Sequence, residues 1–146
     1  MIELTSTPII ILAILGGVGV ALPVINVALK ERGSMISYGI VTLIALFAAI
    51  GYVFYQLALD HVAPAAIFSQ DVLVDDAFGS LFAIAMLIVA IFTTVGSFSY
   101  MKNKANPSIY FSLILLSAIG MVLVAYSTDL VMLFVAWELM SIPTYI

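Results

Sequence analysis

Residues 107–146 read PSIYFSLILLSAIGMVLVAYSTDLVMLFVAWELMSIPTYI, and in this stretch only the short polar segment 127–129 separates two apolar runs. An α helix needs about 20 apolar residues to cross a bilayer. Asn106 and Pro107 are typical of an N-cap and a first helical position, and Asp129 is a suitable N-cap for the next run. The stretch therefore predicts two membrane helices joined by a very short turn.

The rest of the chain has the same character. Of its 146 residues, 65% are hydrophobic and 8% are charged, and the mean hydropathy is +1.31, whereas about a quarter of the residues of a soluble domain are charged. A membrane barrel would show short alternating segments, so we expect an all-α, polytopic bundle of five transmembrane helices. The single domain covers residues 1–146, with spans at about 8–29, 33–59, 77–101, 107–127 and 129–146.

The charged residues sort by side of the membrane. All four basic residues fall in the connections between helices one and two and between helices three and four: Lys30, Arg32, Lys102 and Lys104. Because basic loops stay in the cytoplasm, the N-terminus is predicted outside and the C-terminus cytoplasmic. Residues 1–7 carry Glu3 and no basic residue, so no cleavable signal peptide is expected. The predicted location is the inner membrane of a cell or an organelle.

The same composition excludes several functions. The chain has no cysteine and one histidine, His61, so it cannot hold a thiolate-ligated iron–sulfur cluster or a bis-histidine haem. We expect no cofactor and no metal in this chain, and any redox chemistry must occur on another polypeptide. The chain has no basic patch that would indicate nucleic acid as a partner. The expected partners are the lipid bilayer and other membrane proteins.

The longest connection, residues 60–76, is predicted to be external. Its apolar pieces 66–68 and 72–74 are compatible with a short hairpin or with an interfacial loop. Asp71, Asp75 and Asp76 suggest a cation site, but we interpret them as solvated loop charges, and His61 as a surface residue.

Small residues and prolines predict helix packing. Ala13, Gly17 and Ala21 form one face of helix one, Ala45 and Ala49 do the same in helix two, and helix four contains Ser112, Ser117, Ala118 and Gly120. Pro23 and Pro143 each predict a local distortion. We interpret these residues as ordinary packing, except Pro143, which would weaken the backbone ladder close to an acid.

That acid is Glu138, an ionisable residue within an apolar run. Nine residues of helix after Asp129 place it about 13 Å deep, where an acid costs at least about 2.5 kcal/mol to insert. A low dielectric favours the neutral form of a carboxyl group, and a nearby cation favours the ionised form. Glu138 is therefore the candidate site residue, either as a buried proton relay or as a structural hydrogen-bonding group.

Several segments resemble the antiporter-like membrane subunits of respiratory complex I, which are related to Mrp-type antiporter subunits. They are the short turn at 127–130, Trp137-Glu138-Leu139, and the segment 141–145, whose Ser-x-Pro is most similar to the N-type subunit. The acidic-aromatic segment 74–78 also resembles the approach to the family's third helix.

The resemblance implies a fold of fourteen helices with two inverted repeats, of which this sequence corresponds to the first five helices. It implies that Glu138 matches the family's fifth-helix glutamate, which pairs with a lysine on the seventh helix. The function it implies is the N-terminal part of a proton-translocating subunit of an NADH:quinone-type oxidoreductase, a translocase with no redox centre in this chain. The alternatives are a stand-alone Mrp-type cation/proton antiporter component and a non-catalytic membrane scaffold subunit.

Overall fold

The computed structural model describes residues 7–28, 34–58, 65–66, 73–102 and 106–145. These residues form an up-and-down helical bundle, which confirms the predicted fold class. The elements are α1 (Thr7–Ala28), α2 (Met35–Ala58), β1 (Ala65–Ala66), β2 (Val74–Asp75), α3 (Ala77–Met101), α4 (Pro107–Tyr126), α5 (Leu130–Ser141) and a 3₁₀ turn (Ile142–Tyr145). In the described part of the chain, α1 to α4 are long and apolar enough to cross a membrane.

Local sequence sets where the helices begin. The Asp76 carboxylate caps α3 by accepting from the Gly79 N–H at 2.7 Å. The Asp129 carboxylate caps α5 by accepting from the N–H groups of Val131 and Met132, at 3.1 and 3.3 Å. Asn106, the predicted N-cap, precedes α4 in the left-handed conformation with φ 59°, but its side chain makes no capping hydrogen bond. Each cap lies at the boundary between polar turn and apolar run, where otherwise unpaired helix N–H groups need acceptors.

Helix α4 is the centre of the bundle, because it contacts each of the other four described helices. Its residues Phe111, Leu115 and Val122 are fully buried. Large apolar side chains cover the outer surface of the helices, for example Val20, Phe47 and Phe92. An apolar exterior around a packed interior is the arrangement expected in lipid.

The structure separates correct from incorrect packing predictions. Ala45 and Ala49 of α2 are buried, as predicted. The prediction for α1 is wrong: Ala13 and Gly17 are exposed, and a methyl group added at Gly17 would meet nothing within 4 Å. The contact with α4 is made instead at Gly19, two residues after Gly17 and so about 200° around the helix. A Cβ added at Gly19 would lie 3.5 Å from the Leu115 Cβ. Four-residue spacing identifies a small-residue face but not the partner it faces.

The two ends of the bundle differ in charge. One end holds the start of α1, α3 and α5 and the end of α2 and α4, and it carries the described acids Asp75, Asp76 and Asp129. The opposite end carries Lys102, which is exposed just after α3. The remaining loop charges, including His61 and Asp71, lie outside the described residues. The orientation of the bundle relative to the cytoplasm stays a prediction.

The connection between α2 and α3 contains a short hairpin. Ala65 pairs with Asp75 and Ala66 with Val74 in an antiparallel ladder, so the hairpin alternative holds for these residues. Leu73 forms a further antiparallel bridge with Ser127, directly after α4. The connection is thereby attached to the acidic end of the bundle.

The fifth apolar stretch differs from its expected span of 129–146. It is α-helical only over Leu130–Ser141, and Ile142–Tyr145 form the 3₁₀ turn. Pro143 explains the change, since its ring blocks an α-helical turn and it has no N–H to donate. Twelve helical residues extend about 18 Å, so α5 ends well inside a hydrocarbon core about 30 Å thick.

Candidate functional site

Glu138 lies in the last turn of α5, and its side chain is exposed on the outer surface of the bundle. The described residues alone do not bury Glu138, and its burial as part of a proton relay stays a prediction. The exposure follows from the direction of the helix face: Ala136 is fully buried against the bundle, and Glu138 follows two residues later, about 200° around the helix. The five helices of this chain do not enclose the acid.

The surface around Glu138 is apolar. Trp137 is 57% exposed, Phe134 65% and Val135 52%. Lys102 is the sole basic residue in the described parts of the chain, and it lies at the end of α3 rather than beside α5. An acid on an apolar membrane-facing surface is unfavourable in contact with lipid, and such residues almost always face a protein interior or a water-filled cavity.

The inner side of α5 is held close to α4 by backbone contact. A methyl group added at Gly120 would lie 2.5 Å from the Met140 nitrogen and 2.9 Å from the Ala136 carbonyl oxygen. Any side chain larger than hydrogen would therefore push the helices apart. Gly120 is one of the predicted packing residues. It lies against the turn of α5 that contains Glu138.

Hydrogen bonds secure the end of α5. The Ser117 hydroxyl donates to the Met140 carbonyl oxygen at 2.8 Å, joining α4 to α5. The Glu138 carbonyl oxygen accepts from the Ser141 hydroxyl at 3.1 Å and from the Ile142 N–H, which caps the helix. Pro143 follows immediately and cannot donate. The backbone next to Glu138 is therefore fixed although its side chain is exposed.

A groove of about 870 Å³ runs between α3 and α4 and ends at Pro143. Its lining is mainly apolar but includes the hydroxyl-bearing residues Thr93, Tyr110 and Ser117. Tyr110 and Ser97 share a hydrogen bond of 3.0 Å between α4 and α3. Ser117 lines this groove and also contacts α5 through its hydroxyl.

The acidic end of the bundle contains a buried acid that sequence analysis missed. Asp75 is 7% exposed, and its Oδ2 accepts from the Thr7 N–H at 2.8 Å. Its Oδ1 has no hydrogen-bond partner among the residues that the structure describes. The interpretation of Asp75 as a solvated loop charge is wrong, because the hairpin folds it against the start of α1. Two consecutive aspartates before a helix do not indicate, in the sequence, that Asp76 caps α3 while Asp75 points inward.

A second buried contact lies at the same end. Tyr126 is 1% exposed, and its hydroxyl shares a hydrogen bond of 3.1 Å with the Ser80 hydroxyl. The Ser80–Tyr126 bond joins the start of α3 to the end of α4. It lies at the opposite end of the bundle from the end of α3 and does not include Glu138.

Together these features define a multi-pass helical membrane protein that carries an acid on the membrane-facing side of a short helix. No family model matches the chain. It is 32% identical over 140 residues to NADH-quinone oxidoreductase subunit N 1 of Solibacter usitatus, covering 95% of this chain and 27% of that protein. It is 33% identical over 150 residues to NADH-quinone oxidoreductase subunit N of Desulfitobacterium hafniense, covering 99% of this chain and 28% of the relative.

A third relative comes from an archaeon. It is the F(420)H(2) dehydrogenase subunit N of Methanosarcina mazei, 34% identical over 79 residues, with 54% of this chain and 16% of the relative covered. The first two relatives, which match nearly the whole of this chain, are both named subunit N of NADH-quinone oxidoreductases, and this supports an N-type, antiporter-like membrane subunit of complex I. The chain spans somewhat more than a quarter of the length of the first two relatives.

Proposed function

We propose that this chain is the N-terminal part of a proton-translocating membrane subunit of an NADH:quinone-type oxidoreductase, and that Glu138 belongs to its proton relay. The observation that carries the proposal is the position of Glu138, exposed among apolar residues on the outer face of α5. The similarity to relatives named subunit N of NADH-quinone oxidoreductases supports the assignment to this kind of enzyme.

The exposed acid implies a covering partner. A carboxyl group facing lipid would cost at least about 2.5 kcal/mol, whereas a basic or hydroxyl side chain on a neighbouring helix would offset that cost. The chain covers only 27% of the length of one relative and 28% of another, so further helices of a longer subunit are the natural source. We propose that a helix with a basic side chain packs over the Glu138 face of α5.

Such a pair has the chemistry that a relay requires. A carboxyl group beside a cation is ionised, and it takes up a proton when the cation moves away or loses its own proton. One movement on the partner helix would thus load or unload Glu138. The electron-transfer groups would be held by other subunits, because this chain has no cysteine and one histidine.

The test is Glu138→Gln in membranes that contain the assembled enzyme. Glutamine retains the size and a hydrogen-bonding carbonyl but cannot ionise. We expect lower proton pumping per electron transferred, measured in inverted vesicles with a pH-sensitive dye, while donor oxidation continues. The matched control is Asp76→Asn, an acid-to-amide change at the α3 N-cap, where asparagine caps equally well. Pumping that is unchanged in Glu138→Gln would support the scaffold alternative instead.

A further inference from the structure

We infer that Ser117 and Gly120 of α4 are positioning residues for Glu138: they fix the rotation of α5 about its own axis and so the direction of the acid. The inference rests on the proposed role of Glu138 in proton transfer. Ser117 and Gly120 contact α5 at Met140 and Ala136 and not at the Glu138 side chain. They act through the opposite face of α5.

Helix α5 packs on the core through Met132, Ala136 and Leu139, and its closest approach to α4 is a backbone contact. Ala136 is the single residue of α5 that is buried. Ala136 and Met140 are one helical turn apart, and the backbone of both lies against Gly120. Glu138 is halfway between them in sequence and therefore about 200° away from each. The contact that places Ala136 and Met140 inward thus places Glu138 outward.

Ser117 completes this contact. The Met140 carbonyl would bond the N–H four residues later if the α helix continued, but α5 ends at Ser141. The Ser117 hydroxyl supplies a donor at 2.8 Å, and it fixes one point on the α5 backbone relative to α4. Gly120 sets the distance between the helices, and Ser117 sets the angle.

Small rotations matter for proton transfer. A side-chain tip about 6 Å from the helix axis moves by about 2 Å when the helix rotates by about 20°. A displacement of that size breaks a hydrogen bond, whose donor–acceptor distance is about 2.7–3.2 Å. Loss of the Ser117 bond would therefore impair proton exchange between Glu138 and its partner without removing either group.

The chain contains a matched control on the same helix. The Ser112 hydroxyl donates to the Gly19 carbonyl oxygen of α1, on another face of α4. Ser112→Ala removes an interhelical hydrogen bond of the same kind without affecting α5. Ser117→Thr is the conservative rescue, because threonine keeps the hydroxyl and Ser117 lines the groove between α3 and α4.

The experiment compares Ser117→Ala, Ser117→Thr, Ser112→Ala and Glu138→Gln in native membranes with the assembled enzyme. Protons pumped per electron and the pH profile of pumping are measured alongside donor oxidation and subunit content. An average interhelical hydrogen bond in a membrane changes a conformational equilibrium about threefold. We expect Ser117→Ala to lower the population of the productive α5 orientation by about that factor, and thereby to lower the pumping ratio and displace the pH profile. Ser117→Thr should restore both, and Ser112→Ala should change neither.

The outcomes separate this inference from the proposed function. If Glu138→Gln abolishes pumping but Ser117→Ala pumps normally with an unchanged pH profile, the positioning role is wrong and the proposed function stands. If Glu138→Gln pumps normally, both are wrong. Equal losses of pumping and of subunit content in Ser117→Ala and Ser112→Ala would show that Ser117 contributes only to folding, and this too would overturn the positioning role.

Discussion

Gly120 and Met140 are in backbone contact across the α4–α5 interface, so close that a methyl group at Gly120 would lie 2.5 Å from the Met140 nitrogen and 2.8 Å from its Cα. Both obstructing atoms belong to the backbone and cannot rotate away. The interface therefore tolerates only glycine at this position. It also determines which residues of α5 face outward, among them Glu138.

Gly120→Ala should destabilise the bundle by about 1–3 kcal/mol, because the new methyl group forces the two helices apart. The free energy of unfolding of the purified protein in bicelles, obtained by steric trapping, measures the effect. Gly51→Ala is the control, since an added Cβ there meets nothing within 4 Å, and alanine is the better helix former. Equal stabilities for the two variants would contradict the close contact at Gly120.

Asp75→Ala should destabilise the acidic end of the bundle by about 1–3 kcal/mol, because it leaves the Thr7 N–H buried without its acceptor. Asp75→Asn keeps one carbonyl oxygen for that N–H and should be much milder. Proteolysis near the start of α1, followed by mass spectrometry, reports the local loosening. An alanine variant as resistant as the asparagine variant would show that the bond contributes nothing.

Tyr38→Phe should weaken the opposite end of the bundle. The Tyr38 hydroxyl donates to the Asn26 Oδ1 at 2.6 Å between α2 and α1, and both residues are buried. Loss of this bond should cost about 0.6–2 kcal/mol in a membrane. Unfolding in bicelles checks the value against Tyr55→Phe, a residue 60% exposed on the outer surface of α2. A cost no greater than that of the control would argue against a stabilising bond.

The membrane orientation is testable with single cysteines, because the chain has none of its own. A cysteine at Thr128, exposed at the acidic end, should react with an impermeant maleimide in intact cells. A cysteine at Ser34, exposed before α2, should react only after the membrane is permeabilised. The reverse pattern would place the basic loops outside and overturn the predicted orientation.

Helical class and helix number were predictable because apolar length is a strong signal, and a bilayer permits few alternatives. The position at which α5 ends was harder to predict from the sequence. Pro143 was recognised as a distortion, but whether a proline kinks a helix or ends it depends on the backbone that follows. Here the Met140 carbonyl oxygen accepts a hydrogen bond from the Ser117 hydroxyl of a neighbouring helix, and only the packed structure shows this.

The directions of side chains were the least predictable feature. Glu138 was expected to be buried because its sequence neighbours are apolar, yet it points outward together with Trp137, away from the buried Ala136. Asp75 was expected in solvent because it lies in a loop, yet the hairpin turns it inward. Hydropathy reports how deep a residue lies in a membrane. It does not report which way the residue points, which depends on contacts between distant helices.

The packing of α1 against α4 has a consequence for biosynthesis. A ribosome completes α1 some eighty residues before it starts α4, and the Thr7–Asp75 bond joins residues 68 positions apart. Until α4 is made, the inner face of α1 therefore lacks its final neighbour. The insertion machinery, lipid or a chaperone must cover Gly19 and Leu15 until α4 enters the membrane. The bundle is thus assembled around a helix that arrives late.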